Sequence, residues 1–160
     1  MKMPESVLYY GGKSQQIEKS TRVKARVKAH ALKEIISIKD EIYVMGHRMG
    51  DTDSFGASVG IYRIAKTLGK QAHIVLNDVT SSMKPMVDIF INNNEYEDIM
   101  IITGAQALEM IGGNSVLVVV DVNKPSITEC PDLLKHCNSI VVFDHHRQGS
   151  EVIENATLSY

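Results

Sequence analysis

The chain lacks any run approaching the roughly eighteen apolar residues that a membrane-spanning helix requires. Its opening residues, Met1-Lys2-Met3-Pro4-Glu5, contain no apolar signal core, so secretion is not indicated. Cysteine is scarce. Cys130 and Cys137 are spaced for no zinc knuckle, and two thiols build no disulfide framework. They read as buried or idle thiols of a reducing compartment. There is no Walker A lysine motif and no G-x-G-x-x-G, which leaves nucleotide-triphosphate and dinucleotide-cofactor sites unsupported. No internal repeat or low-complexity tract occurs. A net charge of −2 does not suit a binder of duplex DNA.

What is present is material for one packed domain: 160 residues, 44% of them apolar. Charge is unevenly placed. Residues 1–40 hold nine basic and four acidic side chains, a net +5, and residues 41–160 hold eight and fifteen, a net −7. The basic stretch (Lys13, Lys19, Arg22, Lys24, Arg26, Lys28, Lys33) has no interleaved aromatics for stacking bases. A solvated face of a connecting helix is therefore favoured over a nucleic-acid or membrane contact. Between Ile17 and Ile38 the Ala, Lys, Arg, Leu and Glu content favours helix, although Val23 to Ala31 alternates like a strand. Val23, Val27, Leu32, Ile35 and Ile36 suit a helical stripe.

From residue 41 onward, short apolar runs alternate with helical segments. Ile42–Met45, Ala72–Leu76, Ile99–Ile102, Val116–Val120 and Ile140–Phe143 read as strands. Helices are expected over Ser54–Leu68, stopped by Gly69, over Ser82–Ile91 with Pro85 in its first turn, over Gly104–Ile111, and over Pro131–His136. The continuous aliphatic run 116–120 is what a central parallel strand buried on both faces requires. The alternation predicts an α/β fold, a doubly wound, mostly parallel sheet flanked by helices.

In such sheets ligands bind beyond the carboxyl ends of the strands. Three predicted strands end in residues that bind metals. Ile42–Met45 is followed by Gly46-His47-Arg48-Met49-Gly50-Asp51-Thr52-Asp53, Val116–Val120 by Asp121, and Ile140–Phe143 by Asp144-His145-His146. Each cluster alone is weak, since an aspartate after a strand often caps the next helix. Together they gather four aspartates and three histidines at one edge, where the carboxylates repel one another unless a cation neutralises them. The spacing allows His47 and Asp51 to face one ion and Asp53 a second, and Asp121 can bridge the two. Ions about 3.5–4 Å apart form the two-metal arrangement used for hydrolysing phosphate esters. Mixed imidazole and carboxylate donors suit Mn²⁺ better than Mg²⁺.

Other signals weigh less. Gly56-Ala57-Ser58-Val59-Gly60 matches a nucleophile elbow, but it falls inside a predicted helix rather than after a strand. His30, His73 and His136 read as surface or partly buried histidines, Met83 and Met86 as core filler, and Asp78 as a helix cap.

The constellation of His47, Asp51 and Asp53, Asp121 after three valines, and Asp144-His145-His146 resembles the DHH phosphoesterase superfamily over roughly residues 41–149. Tyr10-Gly11-Gly12-Lys13-Ser14, Val23-Lys24-Ala25-Arg26-Val27, Ala31-Leu32-Lys33-Glu34, Asn123-Lys124-Pro125-Ser126 and Phe143-Asp144-His145-His146-Arg147 narrow it. They are similar to the GdpP-type cyclic-di-AMP phosphodiesterases. On that resemblance, residues 1–40 are a linker helix from the end of a degenerate GGDEF region and 41–160 a DHH domain. The resemblance implies that His47 and Asp51 hold one Mn²⁺, Asp53 and His145 the other, and that Asp121 bridges them. Asp144 would orient a histidine, and His146 and Arg147 would face the phosphate. Water activated between the ions would attack phosphorus in line and open the cyclic dinucleotide to linear pApA.

The family usually has a proline just before its first aspartate, where this chain has Arg48-Met49-Gly50. Its fourth metal-binding aspartate and its glycine- and histidine-rich C-terminal domain have no counterpart in these residues. The resemblance therefore implies a piece of a longer, membrane-anchored protein whose catalytic part is cytoplasmic. The piece itself is expected to make no membrane or DNA contact, to turn over weakly or not at all, and to tend toward a homodimer. Two alternatives stay open: a DHH exonuclease or phosphatase acting on short oligoribonucleotides or 3′-phosphoadenosine phosphate, and an inactive binding or structural fragment.

Overall fold

The computed structural model describes Arg26, Val27, residues 29–144 and Ile153, with the backbone of Leu158–Ser159. Its centre is a parallel sheet in the order β3-β2-β1-β4-β5-β6. The strands are β1 (Glu41–Met45), β2 (Gln71–Val75), β3 (Ile101–Ile102), β4 (Ser115–Val120), β5 (Ser139–Phe143) and β6 (Leu158–Ser159). Every neighbouring pair is parallel. The chain starts in the middle, builds outward through β2 and β3, then crosses back past β1 to lay down β4, β5 and β6. The reversal falls between β1 and β4, whose register pairs Glu41 with Ser115 and Met45 with Val119. At such a switch point the loops leaving two adjacent strands diverge to opposite faces and open a crevice.

Side chains alternate across each strand and divide the core in two. Ile42 and Val44 of β1, Val116, Val118 and Val120 of β4, and Val141 of β5 pack on one face. They meet the helix over residues 29–37 (α1) through Leu32 and Ile36, and α2 (Thr52–Thr67) through Phe55, Val59, Tyr62 and Ala65. Val87 of α3 (Lys84–Ile91) and Met83 just before it join the same cluster. Tyr43, Met45, Leu117, Val119, Ile140 and Val142 point the other way, against Ala107 of α4 (Gly104–Met110) and Leu133 of α5 (Leu133–His136). Burial on both faces is why β4 and β5 read as unbroken aliphatic runs. Each fully buried aliphatic side chain is worth about 1.5–3 kcal/mol, so this double core carries the stability.

Helix ends follow local chemistry. Asp51 caps α2, its Oδ1 accepting from the Ser54 amide at 3.0 Å. Thr103 and Gln106 form a reciprocal capping box on α4. Pro85 occupies the first turn of α3, and Gly69 ends the α2 turn at φ +76°.

The structure trims several expectations. The third strand is confined to Ile101–Ile102, and the last helix starts at Leu133 rather than Pro131. Val27, expected on the packed stripe of the first helix, is exposed, whereas Leu32 and Ile36 are buried. His73, expected at the surface or partly buried, is fully buried. It stacks on Tyr43 of the neighbouring strand with ring centroids 5.2 Å apart. Asp78 does not cap the helix that follows it: α3 opens at Met83 without a side-chain cap.

Candidate metal centre

The loop leaving β1 is held in place by a second segment at the same edge. The Arg48 amide donates to the Ile127 carbonyl at 2.9 Å and the Glu129 amide to the Gly46 carbonyl at 2.8 Å, with His47 and Thr128 bridged antiparallel between them. Gly46 is required by close approach. A Cβ there would stand 2.3 Å from Ser54 Oγ and 3.3 Å from the Val120 carbonyl oxygen. The β1 loop thus lies directly against the start of α2 and the end of β4.

His47 is half-buried, and its Nδ1 accepts the Met49 amide at 2.8 Å. In a neutral imidazole so bonded the hydrogen sits on Nε2. His47 therefore takes a cation through either nitrogen only by releasing the Met49 bond. Asp51 has one carboxylate oxygen engaged in the helix cap and is otherwise exposed. Asp53 lies exposed in the first turn of α2, where the helix dipole favours a negative charge. Asp121 follows β4 directly. Its amide extends the sheet by donating to the Phe143 carbonyl at 2.8 Å, and its φ of 59° makes it the non-glycine residue with positive φ among the described residues. Aspartate tolerates that conformation better than most side chains, but it stores strain, as residues at functional sites often do. Asp144 is half-buried at the end of β5. His145, His146 and Arg147 lie outside the described residues.

His47, Asp51, Asp53, Asp121 and Asp144 thus come from three segments leaving the carboxyl edges of β1, β4 and β5, Asp53 from the first turn of α2, with the first two strands flanking the switch point. Imidazole and carboxylate are the donor chemistry that a divalent transition-metal ion takes. Among the described residues, however, no three His, Cys, Asp or Glu side chains are gathered tightly enough to enclose one ion. Ser58 sits within α2, buried, with its hydroxyl donating to the Ser54 carbonyl at 3.0 Å. That geometry is not a nucleophile elbow.

Sequence reasoning passed over two residues at this edge. Glu129 is a buried carboxylate, 6% exposed, that accepts the amide of Asn77. The Asn77 side chain donates to the Glu129 carbonyl at 3.0 Å and accepts the Gly104 amide at 2.7 Å. Burial raises the Glu129 carboxyl above its usual range, outweighing the opposing pull of the Asn77 and Asp78 amides, and the Asp78 charge pushes the same way as burial. Its one sequence signal is a lone acid in Ile127-Thr128-Glu129-Cys130, where loop and core are not separable by pattern. Cys130 and Cys137 are buried free thiols as expected, and burial pushes both thiols above their ordinary value, away from the reactive thiolate.

The doubly wound parallel sheet, with acids and a histidine on the segments leaving the strands at its switch point, places the chain in the α/β class, and comparison with known proteins gives the family. Residues 41–160 match the model of the DHH family, N-terminal domain, and the chain belongs to that family. It is 42% identical over its whole length to the cyclic-di-AMP phosphodiesterase PdeA of Listeria monocytogenes, and 39% to the cyclic-di-AMP phosphodiesterase GdpP of Bacillus subtilis. A membrane protein–large ribosomal subunit bL9 fusion protein of Onion yellows phytoplasma is 31% identical over 93% of the chain. The chain spans about a quarter of the length of the first two relatives, 25% of each, and 18% of the third. No helix among the described residues is long and apolar enough to cross a membrane.

Proposed function

We propose that the protein carrying this chain is a manganese-dependent phosphodiesterase that opens cyclic-di-AMP to linear pApA. The observation that carries the reading is the 42% and 39% identity, across the whole chain, to two cyclic-di-AMP phosphodiesterases. The loops at the switch point support it with suitable donors. In this reading His47 and Asp51 would hold one Mn²⁺, Asp53 and His145 the second, and Asp121 both, with Asp144 orienting a histidine. Bound manganese supplies Lewis acidity and lowers the pKa of water. The chain's own residues do the rest. His146 and Arg147 neutralise charge on the phosphate, and the crevice between the β1 and β4 loops orients the diester. The location proposed is the cytoplasmic part of a membrane-anchored protein.

The test is hydrolysis of cyclic-di-AMP by the full-length protein with Mn²⁺, run beside short oligoribonucleotides and 3′-phosphoadenosine phosphate. Faster turnover of the cyclic dinucleotide, abolished by Asp121→Ala, is expected. Preference for the linear substrates would replace the substrate and keep the chemistry. Full activity of Asp121→Ala would overturn the assignment of the centre.

A further inference from the structure

We propose that Glu129 is a positioning residue of the candidate centre, a buried carboxylate that ties the loop after β2 to the segment fixing the His47 loop. The inference rests on the reading of His47 as part of that centre. Its basis is a convergence of hydrogen bonds from three loops. The Glu129 carboxylate accepts the Asn77 amide, its carbonyl accepts Asn77 Nδ2 at 3.0 Å, and its amide donates to the Gly46 carbonyl at 2.8 Å. Its neighbours complete the grip on the β1 loop, Thr128 bridging to His47 and Ile127 accepting the Arg48 amide at 2.9 Å. Asn77 carries the same clamp to the third loop through the Gly104 amide at 2.7 Å. Residue 104 is crowded mainly by Cys130: a Cβ there would stand 2.9 Å from Cys130 Sγ and 3.1 Å from its Cβ, with Asn77 Oδ1 at 3.3 Å.

The chemistry of the donors explains why an acid stands here. A carboxylate presents only acceptors, and what faces it from the β2 loop is backbone N–H. An amide side chain would set its own N–H₂ against one of those donors or leave one unpaired, at the cost of a buried unsatisfied group. A buried carboxylate is itself costly and persists only where its acceptors are filled. The β2 loop therefore cannot shift without unpairing Glu129. Glu129 in turn cannot shift without dragging the Gly46 carbonyl and the His47–Thr128 bridge. Through this chain of bonds, a residue that is not a ligand sets where His47 stands.

The experiment compares the full-length wild type with Glu129→Gln and Asn77→Ala, using two readouts. The first is hydrogen exchange in the metal-free protein, comparing the peptide over residues 45–50 with the peptide over β4. Exchange in 45–50 should speed by about tenfold in both variants while β4 keeps its protection, as expected for local loss of a hydrogen-bonded clamp. The second is turnover of cyclic-di-AMP against Mn²⁺ concentration. The half-saturating metal concentration should rise by about tenfold or more, the scale typical of residues that orient ligands. Unchanged exchange in 45–50 in both variants overturns the inference. So does acceleration shared equally by 45–50 and β4, which marks a merely structural role. If Glu129→Gln fails to fold, Asn77→Ala decides alone. If the wild type turns over no cyclic dinucleotide, the proposed function falls and exchange still decides the role of Glu129.

Discussion

The two ends of the sheet treat their acids in opposite ways. At the amino end, Glu41 opens β1 and is surrounded by donors. Its Oε1 accepts the Gly112 amide at 3.0 Å and the Ser115 hydroxyl at 2.9 Å, and its Oε2 faces the Tyr43 hydroxyl at 3.4 Å. Backbone bonds from Asp40 and Glu41 to the Asn114 carbonyl close the same end. At the carboxyl end, Asp53 stands exposed, Asp51 spends one oxygen on a helix cap, and Asp121 sits in a strained left-handed backbone. The same residue class thus does structural work where its lone pairs are filled by the fold. It is held available, at some cost in backbone energy, where the loops leave β1 and β4. Glu129 refines the contrast, being an acid at the carboxyl end satisfied in the manner of the amino end.

Exchanging the two ends by mutation is the most direct way to break this comparison. Asp121→Ala in the full-length protein should lower hydrolysis of cyclic-di-AMP by about a hundredfold or more, at or beyond the range for residues that only orient ligands. Its stability should fall by only about 1 kcal/mol, because alanine takes the left-handed backbone less well than aspartate. Glu41→Ala should leave turnover per folded molecule unchanged while costing about 0.5–1.5 kcal/mol, because the exposed Gly112 amide exchanges its acceptor for water and the Ser115 hydroxyl falls back on the Gly112 carbonyl at 2.9 Å. Denaturant unfolding and a hydrolysis assay on both variants decide. Similar losses of activity in the two would erase the distinction between the ends.

A smaller effect tests how tightly the β1 loop is seated. Gly46→Ala places a methyl group 2.3 Å from Ser54 Oγ and 3.3 Å from the Val120 carbonyl oxygen, and overpacking of that kind costs about 1–3 kcal/mol. Adding Ser54→Ala removes the nearer clash and should recover much of the loss. If Gly46→Ala is as stable as the wild type by chemical unfolding, the loop is looser than the structure shows.

The sequence carried the centre of this fold more legibly than its margins. β1, β4 and β5 are apolar on both faces because helices cover both faces, so a run such as Val116–Val120 announces itself. The order of the strands was not legible. Nothing in a local pattern says that β4 returns beside β1 rather than beyond β3. β6, two residues long, was passed over altogether. Residue types at the strand ends pointed to the carboxyl edge, and His47, Asp51, Asp53, Asp121 and Asp144 all lie there. Asp51 also performs the helix-capping role that the sequence reading weighs against metal binding. Glu129, Asn77 and the buried stack of His73 on Tyr43 escaped because each depends on partners 26 or more residues away or on a neighbouring strand, and no periodicity encodes those pairings.

The smallest effect isolates the backbone of Asp121 from its carboxylate. In an extended strand, glycine is less stable than alanine by about 0.5–1 kcal/mol, because it has more conformational freedom to lose. In the left-handed region an alanine Cβ meets the following carbonyl at a cost of about 1–2 kcal/mol, which glycine does not incur. At φ 59° the second effect exceeds the first, so Asp121→Gly should be more stable than Asp121→Ala by about 0.5–1 kcal/mol. Both variants lack the carboxylate and both should be inactive, so the difference in their urea midpoints reports the backbone alone. An alanine variant as stable as the glycine one, or more so, would mean that residue 121 is not left-handed, and the strain that sets the carboxyl end apart from the amino end would vanish with it.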